Sequence, residues 1–288
     1  MTELRSDAPV RGPAVARAAA ILDNIRGGLG ALLRRPRYLD RDLENVAPLV
    51  SAWRRLKWPI ALAAGAVALA MLFLDRPLSD AAAALPEDVV NAAFVVTDFG
   101  LSGWILVPAA VPLVLITLLV VPKALDRMSR AVLAMVAVRF GFVFVAVGLP
   151  GLVSTVVKRW IGRVRPSDAG PFSYEPFSWR PEYASLPSGH ATTAFAALVA
   201  IGALCPRLRP FLWVYALAIA ASRVMVSAHY PSDVIAGAAF GALGAVLVRD
   251  WFAARRLGFY VGRDGAVRTM TAPRLRRIVR VAARLIAT

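Results

Sequence analysis

Three short polar motifs, each bordering a long apolar run, carry the residues of this chain that could do chemistry. Lys158 and Arg165-Pro166 form the first, with six residues between the lysine and the arginine. The second is Leu186-Pro187-Ser188-Gly189-His190. The third is Ser222-Arg223, then His229 after five further residues and Asp233 after three more. His190 and His229 are the only 2 histidines in 288 residues, so imidazole is used nowhere outside these motifs. Three cations, two imidazoles and a carboxylate suit the handling of a phosphate group beside a membrane.

Hydrolysis of a phosphate monoester without a metal requires that a dianion be held by several donors, attacked in line, and its leaving oxygen protonated. Lys158 offers a point charge, while Arg165 and Arg223 offer planar forks that bind two oxygens each. Ser188 and Gly189 open an apolar run, so their backbone N–H groups and the helix dipole can face the anion. Glycine there also lets the backbone approach closely. A nucleophilic histidine must be neutral at the attacking nitrogen, with the proton on its other nitrogen held by an acceptor. Asp233, a short turn from His229, can be that acceptor, as the aspartate is in a Ser-His-Asp triad. His190 has no carboxylate nearby in sequence and is the better donor to a leaving alkoxide. The plainer alternative for each histidine is a satisfied structural side chain; the paired contexts favour function. This set calls for no cofactor and no metal.

The elements that must position these residues are membrane spans. The chain is 58% hydrophobic, with positive mean hydropathy, and several runs approach the roughly 20 apolar residues needed to cross about 30 Å of hydrocarbon. The expected fold is all-α, an integral membrane bundle of six transmembrane helices near Trp58–Leu74, Leu101–Val121, Ala131–Val157, His190–Cys205, Pro210–Val226 and Asp233–Val248. Ala81–Val96 is apolar too, but Pro86, Glu87 and Asp88 interrupt it, and it reads as an interfacial or loop helix. Eleven Lys or Arg precede Trp58 and ten follow Val248, whereas Asp75–Gly100 holds one basic residue against five acids. Retention of positive charge in the cytoplasm then puts both tails inside. All three motifs fall on the extracytoplasmic face. The connection from Lys158 to Arg180 is basic yet lies outside, an exception that the charge of a ligand would explain.

The domain organisation expected is a basic cytoplasmic leader over 1–57, a six-helix domain over 58–248 and a basic cytoplasmic tail over 249–288. The first apolar run acts as an uncleaved anchor. The net charge of +16 sits mainly in the tails and short connections, which points to anionic lipid headgroups and not to nucleic acid. Leu275, Ile278, Ala282 and Leu285 share one helical face and Arg277, Arg280 and Arg284 another. That pattern fits a helix lying on the anionic cytoplasmic leaflet as well as it fits a frayed tail. Ala14–Arg35 shows a poorer version, broken by Gly27, Gly28 and Gly30. Arg139, within the third span, reads as snorkelling or structurally paired. Cys205 reads as a buried or interfacial free thiol. Phe172, Tyr174, Phe177, Trp179 and Tyr183 form an aromatic outer loop, an interfacial anchor in the plainer reading and a lipid guide in the other. Gly237 and Gly241 permit close helix packing.

Taken in order, the three motifs resemble the three-part signature of the type 2 phosphatidic acid phosphatase family. The resemblance covers residues 158–233 directly, and the span pattern resembles that of the family's membrane members from about Trp58 to Val248. It implies a phosphohistidine on His229, oriented by Asp233, with His190 as general acid. It likewise implies phosphate binding by Lys158, Arg165, Ser188, Gly189 and Arg223. The expected activity is that of a metal-independent phosphatase of a membrane lipid, working at the outer face of the inner (cytoplasmic) membrane. Phosphatidic acid, phosphatidylglycerol phosphate, an isoprenyl diphosphate and a lipid A phosphate are the expected substrates. A lipid-linked phosphotransferase using the same site is the alternative. A non-enzymatic anion transporter or scaffold is disfavoured by the complete set of both histidines and Asp233. A soluble haloperoxidase sharing the signature is disfavoured by the spans.

Overall fold

The computed structural model describes residues 13–34, 48–120, 125–168, 170–262, 264–273 and 275–286. Its helices are α1 (Pro13–Leu33), α2 (Pro48–Phe73), α3 (Asp75–Ala83), α4 (Glu87–Asp98), α5 (Gly103–Leu119), α6 (Arg127–Ile161), α7 (Gly189–Leu204), α8 (Arg209–Met225), α9 (Pro231–Ala254) and α10 (Leu275–Ile286). A single hairpin, β1 (Phe259–Val261) and β2 (Val267–Thr269), pairs antiparallel with Phe259 opposite Thr269.

Among the described residues, five helices are long and apolar enough to cross a membrane: Arg54–Phe73, Glu87–Leu119, Arg127–Ile161, Pro206–Met225 and Pro231–Ala254. The fourth expected span, α7, is apolar and has the 16 residues expected of it, about 24 Å at 1.5 Å per residue. Its first residue is Gly189, of the second motif. The second long helix departs from expectation. The piece read as a loop helix, α4, continues through a tight turn at residues 99–102 into α5.

α9 is the central helix, packed most extensively against α7 and then against α6 and α2. Small residues make this possible. A methyl group at Gly237 would overlap the carbonyl oxygen of Ser188, one at Gly241 that of Thr192, and one at Gly244 the ring of Pro150 on α6. The close packing expected of the Gly237/Gly241 pair is therefore between α9 and α7. Toward the far end of α9, Phe142 meets Phe252 and Phe259 edge-on at 5.3 and 4.6 Å. This cluster joins the C-terminal hairpin to the bundle.

The tail is accordingly not detached. Arg139 donates to the carbonyls of Met135 at 3.2 Å and Met270 at 2.7 Å, the structural pairing expected for it, and the Thr269 hydroxyl donates to Ala203 O at 2.8 Å. α10 is helical, with Val281 buried and Arg276, Arg277 and Arg280 exposed; the side chains of Leu275, Arg284 and Leu285 lie outside the described residues. α1 runs unbroken through its three glycines, and Asn24 caps the end of α5 by donating to Thr117 O and Val120 O. Cys205 ends α7 as an exposed free thiol, not a buried one. Between α2 and α6, with α9 as floor, runs an apolar groove of about 810 Å³.

Candidate active site

α6 ends at Gly162, whose left-handed φ of 62° and N–H bond to Lys158 O, 3.0 Å, stop the helix just past the lysine. A side chain at Gly162 would overlap the Glu175 carbonyl, because Glu175 N donates back to Gly162 O at 2.7 Å. The chain thus turns sharply, and Arg163 pairs with Tyr174 in a short antiparallel bridge. Arg165 is fixed by its own N–H to Glu182 O, 2.9 Å, and by its Nε to Pro181 O, 3.1 Å.

The second motif reaches the same place from α7. Ser188 caps that helix, and Thr192 returns its hydroxyl to Ser188 O at 2.8 Å. A methyl at Gly189 would sit 3.3 Å from Lys158 Nζ, which brings the first motif onto the second. The His190 ring packs on Gly100, where a methyl would come within 2.8 Å of its Cδ2. One expectation needs correction. The Ser188 N–H does not face an anion; it donates to the Asp233 carbonyl at 2.9 Å. The Ser188 hydroxyl takes over that potential, since Oγ is buried and has no partner among the described residues.

Arg223, near the end of α8, donates from Nη1 to Thr97 Oγ1 at 2.8 Å, while its buried Nε has no partner among the described residues. Its carbonyl accepts from both Ala228 N and His229 N at 3.2 Å, which folds the loop and sets His229 close by. Asp233 stands in the first turn of α9. Its Oδ2 accepts from Tyr230 N at 2.9 Å and from the Ser185 hydroxyl at 2.5 Å, and its Oδ1 accepts from Arg163 Nη1 at 2.6 Å. His229 Nδ1 lies 3.8 Å from Asp233 Oδ2 and 3.5 Å from Ser185 Oγ. Asp233 is thus beside His229 as the spacing predicts, but at ion-pair distance and already serving three other donors.

All eight residues singled out in the sequence meet here. His190 lies within electrostatic reach of Arg223, His229, Lys158 and Arg165, and Lys158 within reach of Arg165, Arg223 and Asp233. Such a concentration of positive charge, with a buried hydroxyl and guanidinium N–H that have no acceptor among the described residues, has the chemistry to hold a multiply charged oxyanion. Among the described residues no three His, Cys, Asp or Glu side chains are grouped to hold a metal ion.

His229 is 3% exposed. Burial pushes its imidazolium down to about 4, an effect that Asp233 offsets only in part. The ring is therefore neutral at physiological pH, the state an attacking nitrogen needs. In a His190→Gln protein the remaining histidine is expected to titrate near pH 4 by imidazole NMR. A midpoint near the ordinary 6.5 would mean that the ring is solvated.

Sequence reasoning missed Asp75, Thr97, Arg163, Ser185 and Ser232, all buried at this site. Asp75 was counted only as an acid of an outer connection; its place directly after a long apolar run was the available signal. Arg163 lay inside the basic exception between Lys158 and Arg180. Thr97 and the two serines carry no signal of their own. In the aromatic loop Phe172, Phe177 and Trp179 are 64%, 71% and 81% exposed, which suits contact with lipid in either reading. Arg159 braces the loop by donating to the carbonyls of Trp179 and Arg180 at 2.7 and 2.9 Å.

The sequence profile of the PAP2 superfamily matches residues 139–257. The chain is 36% identical over 236 residues to a lipid A 1-phosphatase of Rhizobium johnstonii, covering 76% of this chain and 93% of that protein. It is 37% identical over 220 residues to a lipid A 1-phosphatase of Rhizobium etli, covering 73% and 91%. Among solved structures, it is similar to a transmembrane PAP2-type phosphatidylglycerolphosphate phosphatase from Bacillus subtilis, with 24% identity, a TM-score of 0.45, and coverage of 69% of this chain and 94% of that one.

Proposed function

Because the chain belongs to the PAP2 superfamily, as a multi-pass membrane phosphatase, we propose that it removes the 1-phosphate of lipid A at the outer face of the inner membrane, through a phosphohistidine on His229. The observation that carries the choice of lipid is the match to two lipid A 1-phosphatases over 93% and 91% of their own lengths. The apolar groove beside α9 offers room for acyl chains within the span region. On this reading the basic leader and the exposed arginines of α10 rest on the anionic cytoplasmic leaflet.

In the first step His229 attacks phosphorus through Nε2, since Nδ1 faces Ser185 and Asp233. A P–N bond forms as the P–O bond to the lipid breaks, and His190 gives its proton to the departing oxygen. In the second step water attacks phosphorus and gives a proton back to His190, the P–N bond breaks, and inorganic phosphate leaves. Lys158, Arg165, Arg223, the Ser188 hydroxyl and the Gly189 N–H hold the phosphoryl oxygens throughout. The residues supply positioning, charge and proton transfer, and no step calls for a metal.

Phosphate release from lipid A 1-phosphate, phosphatidic acid, phosphatidylglycerol phosphate and an isoprenyl diphosphate, in detergent with EDTA present, tests this reading. The expected result is a kcat/KM for lipid A at least about tenfold above the others, with no loss on chelation. Quenching a labelled donor in alkaline detergent should trap an acid-labile, base-stable phosphoenzyme. Activity abolished by EDTA would refute the metal-free route, and a stronger preference for phosphatidic acid would refute the lipid. Label recovered in a second lipid, and not as free phosphate, would make the enzyme a phosphotransferase.

A further inference from the structure

Two charged residues outside the motifs are wholly buried beside the nucleophile. Arg163 and Asp75 each have a side chain with no exposed surface, and so does Asp233. Arg163 reaches Asp233 Oδ1 and Ser232 Oγ from Nη1 at 2.6 and 2.7 Å. It reaches Asp75 Oδ2 and Pro171 O from Nη2 at 2.6 and 3.0 Å, and Pro171 O again from Nε at 3.1 Å. A guanidinium has five N–H donors, and these five bonds use them all. The guanidinium also stacks over the Tyr230 ring, 4.3 Å from its centroid. This arginine has nothing left for a substrate phosphate, unlike Arg223, whose Nε has no partner among the described residues.

Asp75 closes the other side. Its Oδ1 accepts from Ser232 N at 2.9 Å, and its Oδ2 accepts from the Ser232 hydroxyl at 2.6 Å as well as from Arg163. Asp75, Arg163 and Asp233 together carry one net negative charge. Without Asp75, the cation on Arg163 would cancel the charge of Asp233. Without Arg163, two carboxylates would face each other in a dry interior. A single buried cation held between two carboxylates thus leaves Asp233 both fixed in place and effectively negative, next to His229 Nδ1.

We propose that Asp75 and Arg163 are positioning residues for phosphoryl transfer, which hold the Asp233 carboxylate ionised and aimed at His229 without touching the substrate. The inference rests on the reading of His229 as nucleophile. As His229 takes on the phosphoryl group its ring becomes cationic, and the net negative charge of the triad stabilises that state more than the neutral ring. The triad therefore acts on the rate of transfer and not on binding of the phosphate. It also ties the end of α2, through Asp75, to the chemistry, so the first span is part of the catalytic assembly.

The test uses the full chain in detergent, p-nitrophenyl phosphate as substrate and inorganic phosphate as inhibitor. Asp75→Asn is expected to lower kcat about 10–100-fold, as loss of an outer partner of a functional group does. KM and the inhibition constant of phosphate should stay within about twofold, with the melting temperature nearly unchanged. Phosphoenzyme formation in a single turnover should slow by the same factor as kcat. A folded Asp75→Asn protein with wild-type kcat overturns the proposal, as does a fall in kcat matched by equal weakening of phosphate binding. If Asp75→Asn fails to fold, Arg163→Met is compared with the double variant Asp75→Leu/Arg163→Met, which restores one net negative charge with no buried cation. Recovery of at least about tenfold in kcat in the double variant over the single supports the charge balance; a double variant no better than the single overturns it. Absence of any phosphohistidine in the wild-type protein would instead count against the nucleophile itself, so the two failures are distinct.

Discussion

Replacing His229 by Gln should lower turnover by at least about 10⁴-fold, by the same factor for every leaving group. Replacing His190 by Gln should slow phosphoenzyme formation by a factor that depends on the leaving group. The contrast follows from the two roles. His229 forms the bond to phosphorus, so no property of the ester can compensate for its absence. His190 supplies a proton, worth about 10²–10⁴-fold in a typical enzyme, and an activated ester such as p-nitrophenyl phosphate leaves without one. On that substrate the His190→Gln enzyme is expected to release one equivalent of nitrophenolate in a burst and then stall. The second half-reaction needs a base to take the proton from water, and the phosphoenzyme accumulates until it finds one. Rapid-mixing absorbance resolves the burst, and alkaline quenching counts the trapped phosphoryl groups. A burst in His229→Gln, or equal slowing of phosphoenzyme formation from alkyl and nitrophenyl esters in His190→Gln, would falsify the division of labour.

The helical membrane fold and the meeting of the motif residues were both legible in the sequence. Lys158, Arg165, Ser188, Gly189, His190, Arg223, His229 and Asp233 are chemically specific side chains at fixed local spacing, and local spacing is what a sequence displays directly. Their neighbours were hidden for the opposite reason. Asp75 is separated from Ser232 by 157 residues and Arg163 from Asp233 by 70, so only tertiary packing discloses that they meet. At α7 the apolar run His190–Cys205 agrees with the helix Gly189–Leu204 in place and length. The role of the Ser188 N–H was misread because helix N-termini in general point free donors outward; here the Asp233 carbonyl fills that position. Gly237 and Gly241 were legible as a packing pair, yet their partner helix was not.

That pair bears on the second large expected effect. Gly241→Ala should lower the melting temperature in detergent sharply, and Gly237→Ala should lower kcat by at least about 10²-fold, the cost of roughly 1 Å of misplacement at a reacting centre. In lipid, helices are not pressed together by a hydrophobic force, because the surrounding tails are as apolar as the side chains. α7 and α9 associate through close backbone approach at small residues, and a methyl at either glycine would overlap a backbone oxygen of α7. Backbone cannot rotate aside as a side chain can, so the helices must separate. At Gly237 the displaced group is the Ser188 carbonyl, one residue from Gly189 and two from His190, while Lys158 and Arg165 on the α6 side stay in place. The phosphate cradle then opens between its two halves. At Gly241 the displaced group is Thr192 O, a turn deeper, and the effect falls mainly on packing, where inserting a methylene typically costs about 1–3 kcal/mol or more. Gly65→Ala on α2, where a methyl would meet nothing within 4 Å, is the control and should be neutral or slightly stabilising. Because the overlap at position 241 is with main chain, trimming Thr192 to Ala is not expected to rescue Gly241→Ala. Rescue by that trimming would show that the helices are held apart by side chains after all.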